Sequence, residues 1–142
     1  MPAEHSVEAL RALVRMTRLL ESASPDLSLA HYRVLAAVAA GEGRASRVAA
    51  RLALGKPTVS ANVDALCRRG LLTRDDVSGD QRAVALRLTP QGERALAEAE
   101  RSMLVRLEQV LAHTEDPTRT ADGIARLGAG LDALADERVA AR

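Results

Sequence analysis

The side chains best placed to do chemistry lie between Gly55 and Gly70. Their period predicts a helix there, with Gly55 as N-cap, Pro57 in its first turn and Gly70 at a left-handed C′ position. Val59, Val63 and Leu66 share one side of its wheel and should anchor it to a core. Pro57, Ala61, Asp64 and Arg68 lie opposite, flanked by Thr58 and Ser60. Small residues at the front of that face let a helix enter a major groove about 12 Å wide. The Thr58 and Ser60 hydroxyls suit phosphates or base edges, and Asn62 can reach either from the margin. The same hydroxyls would equally satisfy the free amides of the helix's first turn, and the pattern alone leaves that alternative open.

Other chemistries have little support. His5, His31 and His113 are scattered, with no spacing that builds a metal site, so no metal or cofactor is expected. Cys67 is the lone cysteine and reads as a small core residue. No nucleophile and base stand in register and no glycine-rich phosphate loop occurs, so enzymatic activity is not expected. Tyr32 is the single aromatic residue, which nearly excludes a stacking platform for single strands.

These side chains must be carried by helices and one hairpin. Val7, Leu10, Val14, Thr17 and Leu20 recur at helical spacing and end before Ser24-Pro25. Leu29 to Ala40 reads as a more fully apolar helix, stopped by Gly41-Glu42-Gly43. Ser46 to Leu52 is a short helix, and Ala53-Leu54-Gly55 is the turn into the next. After Gly70 the period drops to two: Val84, Leu86 and Leu88 form a strand, with Leu71 to Arg74 as partner and Asp75 to Asp80 as a polar loop. Thr89 then caps a helix opened by Pro90 and running to about Ala112. A last helix after Pro117 carries Ile124, Leu127, Leu131 and Leu134 at heptad spacing.

The 142 residues suit one domain, with 47% hydrophobic and 27% charged residues, a globular balance. A net charge of +1 hides a division: residues 44–94 carry ten basic and five acidic side chains, whereas both flanks are net negative. A basic middle between acidic ends fits a polyanion-binding module held by elements with another task, although arginine bias alone can produce it. The first residues lack a basic stretch followed by an apolar one, and no apolar run could cross a bilayer. A cytoplasmic protein without membrane association is the expectation.

Two short helices, a tight turn and a hairpin describe a winged helix-turn-helix. The chain closely resembles the MarR family of bacterial transcriptional regulators. The resemblance is carried by Leu29 to Leu35, by Ala49-Ala50-Arg51-Leu52, by Lys56-Pro57-Thr58-Val59-Ser60 and by Val63-Asp64-Ala65-Leu66. It continues through Arg69-Gly70-Leu71-Leu72-Thr73-Arg74, Gly79-Asp80-Gln81-Arg82-Ala83 and Leu88-Thr89-Pro90-Gln91-Gly92. It implies a mainly α fold with a small β-hairpin wing and N- and C-terminal dimerisation helices. One domain would span 1–142, with the winged helix-turn-helix at 29–92 and dimerisation helices at 1–24 and 93–142.

The family's Asp-x-Arg wing motif matches Asp80 and Arg82, where the arginine enters a minor groove and the aspartate helps to hold it. An arginine on a hairpin is drawn to a narrow, A·T-rich groove, the alternative being a surface ion pair of little weight. Arg74 lies on the same hairpin. Arg44, Ser46, Lys56, Pro57, Thr58, Ser60, Ala61, Asn62 and Arg68 complete the expected DNA-binding set. Ala61 stands where a larger polar residue is usual, and Arg44 and Gly55 stand where Ser or Thr usually caps, so specificity should lean on DNA shape and phosphate positioning.

The resemblance also implies a homodimer on double-stranded DNA, reading a pseudo-palindrome with half-sites roughly 34 Å apart. An intramolecular bundle is the alternative use of the 124–134 stripe. A small aromatic or anionic effector would sit between the dimerisation helices and the winged domain, with Arg15, His31 and Tyr32 as candidate lining. The expected role is a ligand-released repressor. The competing reading is a helical dimerisation or adaptor protein that keeps the fold without operator binding.

Overall fold

A computed structural model describes residues 3–76 and 84–141. The order is α1 (Ala3–Ala23), α2 (Leu29–Ala39), α3 (Ala45–Leu52), α4 (Lys56–Arg68), β1 (Leu72–Asp76), β2 (Val84–Leu88), α5 (Pro90–Leu111) and α6 (Pro117–Ala140). This is the expected mainly α fold with a two-stranded antiparallel hairpin. No described helix is long and apolar enough to cross a membrane.

The core forms where α2, α3, α4 and the hairpin turn aliphatic side chains inward. Val34, Leu35, Val48, Val59, Val63, Leu66 and Leu72 are fully buried, and α5 closes the assembly with Leu96, Ala99 and Met103. With no Phe or Trp in the chain, close packing rests on branched aliphatics, which keep few rotamers. α2 starts where Ser28 Oγ accepts the His31 amide at 3.2 Å. It ends before Gly41, whose φ of 108° an L side chain rarely adopts.

The hairpin differs from the sequence expectation in two respects. β1 reaches Asp76, so Asp75 pairs with Ala85 inside the ladder and does not open the loop. There Asp75 meets Arg87 across the strands at 3.1 Å, an ion pair that offsets its poor strand preference. The chain before α3 also joins the hairpin: the Leu86 amide donates to the Gly43 carbonyl at 2.8 Å. A single peptide contact of that kind leaves no periodicity to read.

Hairpin and α5 are fastened at one node. The Thr89 hydroxyl donates to the Gly70 carbonyl at 2.6 Å and accepts the Gly92 amide at 2.9 Å. The Thr89 amide donates to the Leu71 carbonyl at 3.1 Å. This draws α5 so close that a Cβ on Gly92 would stand 2.0 Å from the Leu71 oxygen. Alanine in a helix ordinarily gains up to about 1 kcal/mol over glycine. Here Gly92→Ala should instead destabilise the chain by about 1–3 kcal/mol, the usual overpacking range. A thermal melt checks it; an unchanged or raised midpoint would mean that α5 and the Gly70–Leu71 turn are not so tightly bound.

Candidate nucleic-acid interface

α4 buries one side and exposes the other. Val59, Val63 and Leu66 are in the core, while Pro57, Thr58, Ser60, Ala61, Asp64 and Arg68 are exposed and Asn62 is half-buried at the margin. The helix therefore presents the face expected from its sequence. Gly70 follows with φ 71°, the left-handed turn that stops the helix and sends the chain into β1.

α3 packs against α4, and their first turns come together. Ser46, Arg47, Ala50 and Lys56 line one cleft of about 290 Å³ together with Val139 of α6. Arg44 is the exposed N-cap of α3 and Gly55 that of α4, and neither supplies a side-chain cap. Ser28, Thr89 and Asp116 do cap α2, α5 and α6. The leading amides of both helix-turn-helix helices are therefore left without a side-chain acceptor, the arrangement that suits an anion. Arg47 was missed from sequence because one arginine among ten basic residues carries no mark of where it points.

The hairpin gives a partial answer. Arg74 does not project freely from β1: its guanidinium forms an ion pair with Asp64, on the exposed face of α4. The short β1–α4 approach thus places a carboxylate within reach of this expected DNA-binding residue. Asp80 and Arg82 lie outside the described residues.

The three residues expected to line an effector cleft do not meet. Tyr32 borders a largely apolar cleft of about 500 Å³ with Leu20, Leu29, Met103 and Leu107, between α1, α2 and α5. Its hydroxyl donates to Glu100 Oε1 at 3.4 Å. Burial, and then the Glu100 charge, raise its pKa and keep it a donor. Arg15 borders a separate apolar depression with Ala12, Met16, Leu19 and Val110. His31 looks toward α4, where its Nδ1 accepts from Arg69 at 3.4 Å. Arg69 also donates to the Asp26 carbonyl at 2.6 Å. The shared-cleft expectation is therefore corrected: helical phase puts Arg15 and His31 on faces that Tyr32 does not share.

Comparison with known proteins bears on the geometry just described. Residues 26–83 match a model of the MarR family, a span that begins just before α2 and ends just before β2. The transcriptional repressor CouR, solved bound to a 23-mer DNA duplex, superposes with a TM-score of 0.74 at 27% identity, over 86% of this chain and 88% of that one. The PcaV regulator of Streptomyces coelicolor, solved with its natural ligand, gives 0.63 at 25% identity over 90% and 92%. BldR of Sulfolobus solfataricus gives 0.69 at 20% identity over 91% and 98%. No curated protein matches the chain. The chain thus shares the fold of these regulators, with α4 as the second helix of its helix-turn-helix.

His31 ties this core to pH. Burial first, and the Arg69 charge second, lower its pKa below the usual 6.5, favouring neutral imidazole in the folded chain. The unfolded chain therefore takes the proton first, so stability falls as pH drops through about 6.5 and the loss levels off below the folded pKa. His31→Gln should remove that part of the decline in thermal melts taken from pH 8 to 5. Parallel curves for both proteins would place the acid sensitivity elsewhere.

Proposed function

We propose that the protein is a homodimeric, ligand-responsive repressor that binds a pseudo-palindromic operator, with one domain of dimerisation helices around a winged core. The observation that carries this reading is the outward face of α4, small and polar, beside the uncapped starts of α3 and α4. In this reading α4 enters the major groove with Pro57, Thr58, Ser60, Ala61 and Asn62. Lys56, Arg44, Ser46 and Arg68 hold phosphates, and Arg74, Asp80 and Arg82 form the wing contact. CouR, whose fold this chain shares at 27% identity, was solved on duplex DNA, which supports the assignment.

Dimerisation is supported by apolar surface that one chain leaves in water. Leu10 and Val14 of α1 are 60% and 62% exposed, and Leu131 of α6 is 60% exposed. Leu104 and Val105 of α5, with Ile124, Leu127 and Leu134 of α6, are exposed too. An intramolecular bundle would have covered the α6 stripe, whereas a twofold partner would cover it and double the DNA contacts. The effector would occupy the apolar cleft beside Tyr32, and PcaV, solved with a ligand, lends that expectation weight. Pulling on α1, α2 and α5 there would change the separation of the two α4 helices.

Duplex selected from a random pool by the wild-type protein provides the probe. Its affinity should fall by orders of magnitude between about 50 and 200 mM salt, as several phosphate contacts require. Dimers that bind no duplex at any salt would favour the adaptor reading. Arg82→Ala should weaken binding at unchanged fold and dimer state, and equal affinity would refute the wing assignment. Asp64→Asn should tighten binding several-fold, by removing a carboxylate from the DNA face and releasing Arg74; weaker binding would instead make the Asp64–Arg74 pair part of the bound geometry.

A further inference from the structure

Outside the interface, one side chain joins three parts of the molecule. Arg51, near the end of α3, stands 2.8 Å from Asp136 and 4.0 Å from Asp132 of α6, and 3.7 Å from Glu42 in the α2–α3 turn. Its side chain is only 26% exposed, while Asp132 and Asp136 are 75% and 70% exposed. α6 crosses α3 in the opposite direction, because Val139 lies at Ser46 and Arg47 while Asp136 lies at Arg51. Ala135, between the two aspartates, is the one buried residue of α6 among those described.

Helical phase gives this contact its importance. Asp132, Ala135, Asp136 and Val139 form a stripe against α3. The exposed Ile124, Leu127, Leu131 and Leu134 form an adjoining stripe, roughly a quarter-turn away at about 100° per residue. One rigid helix thus meets the DNA-binding helices with one face and offers apolar surface to a second copy with the next. Of the stripe facing α3 only Ala135 and half-buried Val139 are apolar, so the rotational setting of α6 also depends on its polar partner. An Arg guanidinium has a fixed fork that two carboxylates one helical turn apart can share.

We propose that Arg51 is a positioning residue. It fixes α6 against α3 and thereby sets the distance and angle between the two α4 helices of the dimer. This inference rests on the homodimeric reading above but assigns no DNA contact to Arg51. The guanidinium acts on DNA only through the geometry it holds.

The test uses full-length protein with Cys67→Ala and a spin label at Ala61→Cys, an exposed site on α4. Electron–electron distance measurement on the free dimer should give one narrow distribution for the parent protein. Arg51→Met should broaden or shift it while sedimentation still shows dimers. Asp132→Asn/Asp136→Asn, altering two exposed side chains at no cost to the core, should do the same. The exchange Arg51→Asp/Asp136→Arg should narrow it again. With the selected duplex and versions whose centre is one or two base pairs longer or shorter, the unlabelled wild-type protein should discriminate by roughly tenfold or more, and unlabelled Arg51→Met, with Ala61 intact, should lose most of that preference with an unchanged salt slope; coupling of this kind is typically a few-fold to about thirtyfold. Equally narrow distributions in parent and variants, or an unchanged spacing preference with only a lowered melting temperature, would overturn the role of Arg51 alone. Parent chains that remain monomeric would overturn the dimeric reading and this inference with it.

Discussion

Everything outward-facing on α4 depends on what its other side buries. Val59, Val63 and Leu66 are withdrawn from water almost completely. Each contributes roughly 1.5–3 kcal/mol relative to an exposed side chain. Their 4- and 3-residue steps leave a single rotational setting of the helix, since any other would put a valine in solvent and Asp64 in the core. The identity of the exposed residues is therefore settled by hydrophobic burial, and any chemistry they perform is secondary to it. Three aliphatics can do this without an aromatic anchor because α2, α3 and the hairpin surround them on every other side.

The same burial reaches the rest of the chain through short polar joints. Thr89 holds the turn after α4 to the start of α5, and the absence of a side chain at Gly92 lets the two backbones approach. Arg69 holds the last turn of α4 to the loop before α2, with His31 alongside. These contacts sit at the edges of the core, where water is near and each hydrogen bond is worth only about 1 kcal/mol net. They determine angles between elements far more than they determine total stability. A winged module needs such joints, because an aliphatic core alone tolerates many small slips of one helix on another.

Sequence periodicity carried the elements well. Every helix was legible from apolar spacing together with Ser, Thr, Gly and Pro at its ends, and the drop to a two-residue period marked the hairpin. The exposed face of α4 was legible for the same reason, as burial at period 3.6 leaves a definite remainder. What escaped were relations between distant positions. Arg15, His31 and Tyr32 look alike as candidate ligand groups, yet helical phase sends them to three different surfaces. Arg74 reads as a free wing cation until the fold brings Asp64 beside it, and Arg51 meets a carboxylate 85 positions away. Ion pairs need only two matching charges, so a chain with 39 charged residues offers too many combinations for sequence to choose among.

The polar character of the α3–α6 contact fits the different demands made on the two faces of α6. An apolar seam binds strongly but is indifferent to small rotations, which would suit the proposed role of holding two copies together. A shared guanidinium binds weakly in water, since exposed pairs are worth about 0–1 kcal/mol, but it is directional. A mostly exposed pair of aspartates can exchange partners with little barrier, so the helix can be held in one setting and still be moved to another by a modest free energy. Adhesion and angle are thereby separated onto adjoining faces of a single helix. That separation would let a small cleft near α1, α2 and α5 redirect a dimer without having to break it.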